Sequence, residues 1–113
     1  MKELDYAGAL SRVGDDKALL AELAAMFVEE YPNLLNQVRC GLREGNGPAV
    51  NASAHQLKGL LAQFGANRAR DAAFSVETAG RAGDLHEASE SFTELEYLME
   101  RLRPELIAMA SSA

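Results

Sequence analysis

The sequence offers three side chains that could act as a nucleophile or soft metal ligand near neutral pH: His55, His86 and Cys40. A metal site is poorly supported, because neither histidine has a His or Cys partner at helical spacing. Cys40 lies beside a predicted helix end and reads as an ordinary packed thiol. As a lone cysteine it rules out an internal disulfide and suits a reducing compartment. His86 falls near a predicted helix start and reads as a solvated side chain. His55 is the residue whose surroundings call for chemistry. Neutral imidazole is a good nucleophile and titrates near physiological pH.

The segment Pro48 to Ala66 carries His55, and its residues can be placed on a helical wheel at about 100° per residue. With His55 at zero, Val50, Leu57, Leu61 and Phe64 fall at roughly 180° to 240°. They form the expected core face, so His55 points outward. Within about 60° of His55 lie Asn51, Ala52, Lys58, Gly59, Ala62 and Ala66. All but Asn51 and Lys58 are small, whereas a solvated helix face is ordinarily rich in long polar side chains. Glycine inside a helix costs on the order of 1 kcal/mol relative to alanine. Gly59, one turn beyond His55, therefore suggests that something approaches the ring. Lys58, three residues on, lies on the same side. It can set a cation beside an anionic group on the imidazole, and a phosphoryl group is the obvious candidate. A lone exposed histidine would otherwise be an inert surface residue.

The elements that must position this face are helical. Three Gly-containing breaks divide the chain, at 14–16, 44–48 and 80–84, and Gly65 adds a shorter one. No segment alternates as a strand would. Tyr6, Leu10 and Val13 suggest a short helix over about residues 5 to 13, lying across the end of a bundle. A long helix is expected from about 16 to 44, capped by Asp15 or Asp16, with Pro32 kinking it near its middle. Pro48 suits the first turn of the third helix, which ends at Gly65. The fourth is expected from about 67 to 80, with Asn67 as N-cap. The fifth should run from Asp84 to about 109, with Pro104 bending it or ending its regular part. The links are short, which makes neighbours antiparallel. The expected architecture is all-α: an antiparallel up-down four-helix bundle with a short extra N-terminal helix, forming a single domain over residues 1–113.

Composition bounds the function. The net charge is −6, which disfavours nucleic acid as a partner because phosphate contacts dominate that affinity. No apolar run is long enough to span a membrane, and no apolar stretch follows the charged start as in a signal peptide. A cytoplasmic monomer is the default expectation. The Met1 start and the lack of linker-like ends favour a free-standing chain over an excised piece.

The run Ala54-His55-Gln56-Leu57-Lys58-Gly59, followed by Phe64-Gly65-Ala66, resembles the signature of histidine phosphotransfer (HPt) domains, carriers in bacterial, fungal and plant phosphorelays. The likeness continues more weakly in Val76-Glu77, in Arg81-Ala82-Gly83-Asp84 and in the stretch from Leu19-Leu20 to Met26-Phe27-Val28. Leu60-Leu61 departs from the small residues that many members carry after the glycine; on the wheel both point coreward, so the open face survives.

The resemblance implies a four-helix bundle with a short N-terminal helix. It implies that His55 is phosphorylated, at Nε2, and that Lys58 assists with the phosphoryl charge while Gly59 keeps access open. Glu77 would bond the other ring nitrogen and orient it. Asn51, Ala52, Gln56, Ala62, Gln63 and Ala66 would meet the partner. That partner would be a response-regulator receiver domain or a hybrid sensor histidine kinase. The chain would need no cofactor of its own, Mg²⁺ being held by the receiver. It would be a phosphoryl carrier rather than an enzyme, and the sequence has no Gly-rich nucleotide loop of P-loop or kinase type. It could also be a domain of a hybrid kinase. The competing expectation is a helical interaction module in which His55 is chemically silent.

Overall fold

The computed structural model describes residues 2–112. It is built of five helices: α1 (Tyr6–Arg12), α2 (Lys17–Glu44), α3 (Gly47–Gln63), α4 (Asn67–Ala82) and α5 (Leu85–Ala110). No strand occurs among the described residues. Met1, on which the expectation of a free-standing chain rested in part, lies outside them.

The helix starts follow from short polar side chains that accept from otherwise unpaired backbone N–H groups. Asp5 accepts from Gly8 N, Asp16 from Leu19 N, Asn46 from Ala49 N and Asp84 from Glu87 N. Asp16 rather than Asp15 caps α2. The expected cap of α4 needs correction: Asn67 is the first helical residue, and Ala66 precedes it with no side-chain cap. Gly65 makes the turn instead. Its φ of +65° is a conformation that side chains disfavour, and Ala66 N donates to Leu61 O at 3.1 Å across it. A Cβ on Gly65 would also stand 2.6 Å from Asp5 Cβ. The N-terminal arm thus crosses the end of α3. Asp5 N donates to Phe64 O at 3.2 Å, and Arg12 Nη1 donates to Gln63 O at 3.0 Å.

Both helix-interior prolines lie on solvent-exposed positions. α2 runs without interruption through Pro32, and α5 continues past Pro104 to Ala110. Pro104 therefore does not end the regular part of α5. A missing N–H on the wet side of a helix leaves a carbonyl that water can satisfy.

α2 packs on α3 and α5, and α4 packs on the same two helices, closing a ring around one core. Val50, Leu57, Leu61 and Phe64 are buried, as the wheel anticipated. They meet Phe27, Leu34, Val38, Val76, Leu95 and Leu102 in a largely aliphatic interior. The Phe27 and Phe64 rings stack at 5.4 Å, an arrangement that favours both. α3 and α4 approach closely because both carry glycine at the crossing. A Cβ on Gly47 would lie 2.6 Å from Gly80 O. One on Gly80 would lie 2.9 Å from Val50 Cγ1 and 3.0 Å from Asn51 N. This near contact of backbones brings the outer edges of α3 and α4 together, and the histidine stands on that edge. Among the described residues, no helix is long and apolar enough to cross a membrane.

Candidate functional site

His55 projects from the middle of α3 with its side chain 66% exposed. Its Nδ1 lies 3.0 Å from Glu77 Oε2 on α4. The Glu77 side chain is buried, at 9% exposure. Its other oxygen, Oε1, stands 2.7 Å from Lys58 Nζ. No donor is aimed squarely at Oε1, but at that distance the ammonium and the carboxylate form an ion pair. One carboxylate therefore serves two groups of α3, the imidazole and the ammonium.

The protonation states follow from these partners. Burial alone would raise the Glu77 carboxyl pKa, since it penalises the charged form. The close contacts and charges of Lys58 and His55 outweigh it, so the group sits below the ordinary glutamate value. Glu77 is then ionised near neutrality and can only accept. Nδ1 must carry the ring proton and donate it to Oε2. The neutral ring's remaining lone pair is then on Nε2, the nitrogen that does not face Glu77.

Glu77 is itself held from both sides. Its α4 neighbours Val76 and Ala73 are fully buried and fix the helix against the core. The Asn51 side-chain amide donates to Glu77 O at 2.8 Å, tying the backbone of α4 to α3 at this residue. The sequence suggested Asn51 only as a docking residue. Its observed contact is internal, and nothing in a one-helix wheel could have revealed it.

The small-residue face is present on α3. Ala52 and Gly59 are exposed, Ala62 is half-buried, and Gln56 and Gln63 are exposed at its flank. A Cβ on Gly59 would meet no atom within 4 Å. Unlike Gly47 and Gly80, Gly59 is not required by any neighbour within the fold. Ala66 must be removed from the expected docking set. It lies beyond the end of α3 and is 0% exposed, so no partner reaches its side chain. Leu61 points coreward as expected, but Leu60 is only partly buried. Leu60 lines a cleft of about 370 Å³ with Leu23, Met26 and Phe64, and Glu29 and Glu30 also border it. Met26 is 64% exposed there.

Elsewhere, His86 pairs with Glu90 on the surface of α5. Cys40 is half-buried, with Arg43 Nη2 3.4 Å from its sulfur. No group of three or more His, Cys, Asp or Glu side chains among the described residues is arranged to hold a metal.

A buried glutamate fixing the inner nitrogen of an exposed histidine, with a lysine on the same carboxylate, is an arrangement for presenting Nε2. A family model described as the Hpt domain matches residues 22–105. The chain belongs to the Hpt domain family. Comparison with curated proteins and with solved structures gives no significant match. Hpt domains are helical phosphocarriers rather than enzymes, and they act in two-component signalling with receiver domains and kinases. The match starts within α2 and ends within α5, so it contains all of α3 and α4 and hence the whole His55 cluster.

Proposed function

We propose that this Hpt domain accepts a phosphoryl group on His55 Nε2 from a receiver-domain aspartate and passes it to a second receiver. The observation that carries this reading is the Nδ1–Glu77 contact at 3.0 Å, which orients the ring and leaves the Nε2 lone pair available. In the forward step that lone pair attacks the phosphorus of the aspartyl phosphate. The N–P bond forms as the P–O bond to the aspartate breaks, and the aspartate carboxylate leaves with the electron pair. The Nδ1 proton stays between the ring and Glu77. The ring becomes an imidazolium carrying a phosphoryl dianion, and the Glu77 carboxylate stabilises its positive charge. Lys58 offsets the phosphoryl charge, and the open space at Gly59 admits the donor.

Docking involves Ala52, Gln56, Ala62 and Gln63 around the ring, with Asn51 acting through Glu77. The apolar cleft beside Leu60 and Met26 opens next to Gln63, at the α2 flank of this face. Charged groups at its border would govern partner choice more than affinity. On this reading the chain needs no cofactor of its own: Mg²⁺ belongs to the receiver, and the transfer draws on the aspartyl phosphate rather than on ATP. A net charge of −6 supports a protein partner over nucleic acid, and we take the working form as a cytoplasmic monomer. The closed ring of helix contacts and the short links support an up-down antiparallel four-helix bundle. The cross-helix pairs Asn51–Glu77 and Lys58–Phe74 have the register of an antiparallel α3–α4 pair.

The test is direct. A receiver domain, phosphorylated with a small phosphodonor, is mixed with the protein, and acid-labile, base-stable label is sought. Transfer to the wild-type protein and none to His55→Gln is expected. Label retained by His55→Gln places the site elsewhere. Failure of several receivers from the same cell to transfer favours a chemically silent interaction module.

A further inference from the structure

Phe74 has a feature that the phosphocarrier reading does not use. It lies on α4, three residues before Glu77, and is 51% exposed. A single exposed aromatic is common and by itself carries no meaning. Here, however, the Lys58 ammonium stands over the Phe74 ring, 5.0 Å from its centroid. The same nitrogen is 2.7 Å from Glu77 Oε1. Lys58 is thus gripped by two groups of one helix, a carboxylate and the negative face of an aromatic ring. Its side chain is 27% exposed, unusually low for a lysine on the outer edge of a bundle.

A lysine has four rotatable side-chain bonds, and an ordered ammonium loses substantial rotamer freedom. An ion pair to one oxygen constrains only the tip. The ring beneath adds a second restraint on the approach of the side chain. We propose that Phe74 is a positioning residue: its ring face holds the Lys58 ammonium beside the His55–Glu77 pair, so that the cation is already in place when a phosphoryl group arrives. This inference rests on the phosphocarrier reading for its purpose, but the contact itself can be measured without any transfer.

Three replacements separate the possibilities. Phe74→Trp keeps a π face, and Phe74→Leu keeps apolar area without one. Lys58→Met removes the cation. The first readout is the proton shift of the Lys58 ε-methylene in the unphosphorylated protein. Ring current should displace it upfield in the wild type and in Phe74→Trp, and it should return to the ordinary lysine position in Phe74→Leu. The second is the rate of label transfer from the phosphorylated receiver. Phe74→Leu should slow it by about two- to fivefold, the size of an exposed cation–π contact, and Phe74→Trp should restore it. In the Lys58→Met background, Phe74→Leu should have no further effect.

Equal slowing by Phe74→Leu with and without Lys58 would overturn the proposal, because Phe74 would then be acting on the partner directly. An ordinary ε-methylene shift in the wild type would overturn it as well. Absence of label from the wild type instead overturns the phosphocarrier reading, and with it the purpose assigned to the contact; the methylene shift still decides whether Phe74 holds the ammonium. Circular dichroism of each variant checks that the helices persist.

Discussion

Filling the empty space at Gly59 should make the protein more stable and less active. The position is helical, and a Cβ there meets nothing within 4 Å. Alanine at an exposed helix interior is favoured over glycine by about 0.5–1 kcal/mol, mostly through lost freedom of the unfolded chain. Unfolding entropy is about 2.1 cal/mol/K per residue, so for a chain of 113 residues that gain corresponds to about 2–4 °C in melting temperature. Gly59→Gln should gain somewhat less, because glutamine is a slightly poorer helix former. Its side chain would project over the open face one turn from His55. If a receiver must close on that face, Gly59→Gln should slow transfer far more than Gly59→Ala. The assays are thermal melting followed at 222 nm and label transfer from a phosphorylated receiver. A melting temperature lowered by Gly59→Ala would refute the claim that nothing in the fold needs this glycine. Transfer at the wild-type rate in Gly59→Gln would refute the claim that the face is cleared for a partner.

Gly80→Ala should do the opposite to stability, because its Cβ would stand 2.9 Å from Val50 Cγ1 and 3.0 Å from Asn51 N. A loss of about 1–3 kcal/mol is expected for such overpacking against backbone, read as a lower urea midpoint; an unchanged midpoint would mean that α3 and α4 separate easily. Glu77→Gln keeps an acceptor for Nδ1 but removes the charge that serves both Lys58 and the ring. Transfer should fall about fivefold, from about 1 kcal/mol for a charged hydrogen bond discounted for the exposure of His55; a rate within twofold of wild type would deny Glu77 an electrostatic role. Because the folded Glu77 pKa is depressed below 4.5, its stabilisation is fully present above the unfolded value and disappears as pH falls through the folded one. Urea titrations of wild type and Glu77→Gln should therefore lose their difference as pH falls below the ordinary glutamate value of about 4.3; a difference that grows as pH falls below that value contradicts the sign.

Much of this arrangement was legible in sequence because helix period is a local property. The wheel separated Val50, Leu57 and Leu61 from His55 correctly, and glycines and short polar residues marked the breaks. It failed where the helix itself stopped. Ala66 took an angle near that of His55, but Gly65 adopts positive φ and turns the chain, so an angle carried past it has no meaning. Leu60 was misjudged for a different reason. At about 140° from His55 it sits on the boundary between core and surface, and only the position of α2 decides which side it joins. The internal contact of Asn51 and the role of Phe74 were not legible because each joins α3 to α4, through Glu77 O and Lys58 Nζ respectively. Periodicity does not encode the register between helices. Gly47 and Gly80 could have hinted at it, since glycine on facing helices permits close approach, but pairing them requires knowing which helices are neighbours.

That register matters because it gives one carboxylate two dependants. With the ring in its neutral, nucleophilic form, ionised Glu77 and the Lys58 ammonium cancel in the resting cluster. On the phosphocarrier reading, transfer adds a dianionic group and makes the ring cationic, so the cluster's charge falls by one rather than two. Glu77 then has a charged imidazolium on Oε2, in addition to the ammonium on Oε1. The stronger the pull of the ring, the less Glu77 depends on Lys58, and the more freely the ammonium can turn toward the phosphoryl oxygens. A carrier must release its cargo as well as accept it. A cation shared between the acceptor's orienting carboxylate and the cargo stabilises both states in part, and so keeps the free-energy difference between them small, as a two-way carrier requires.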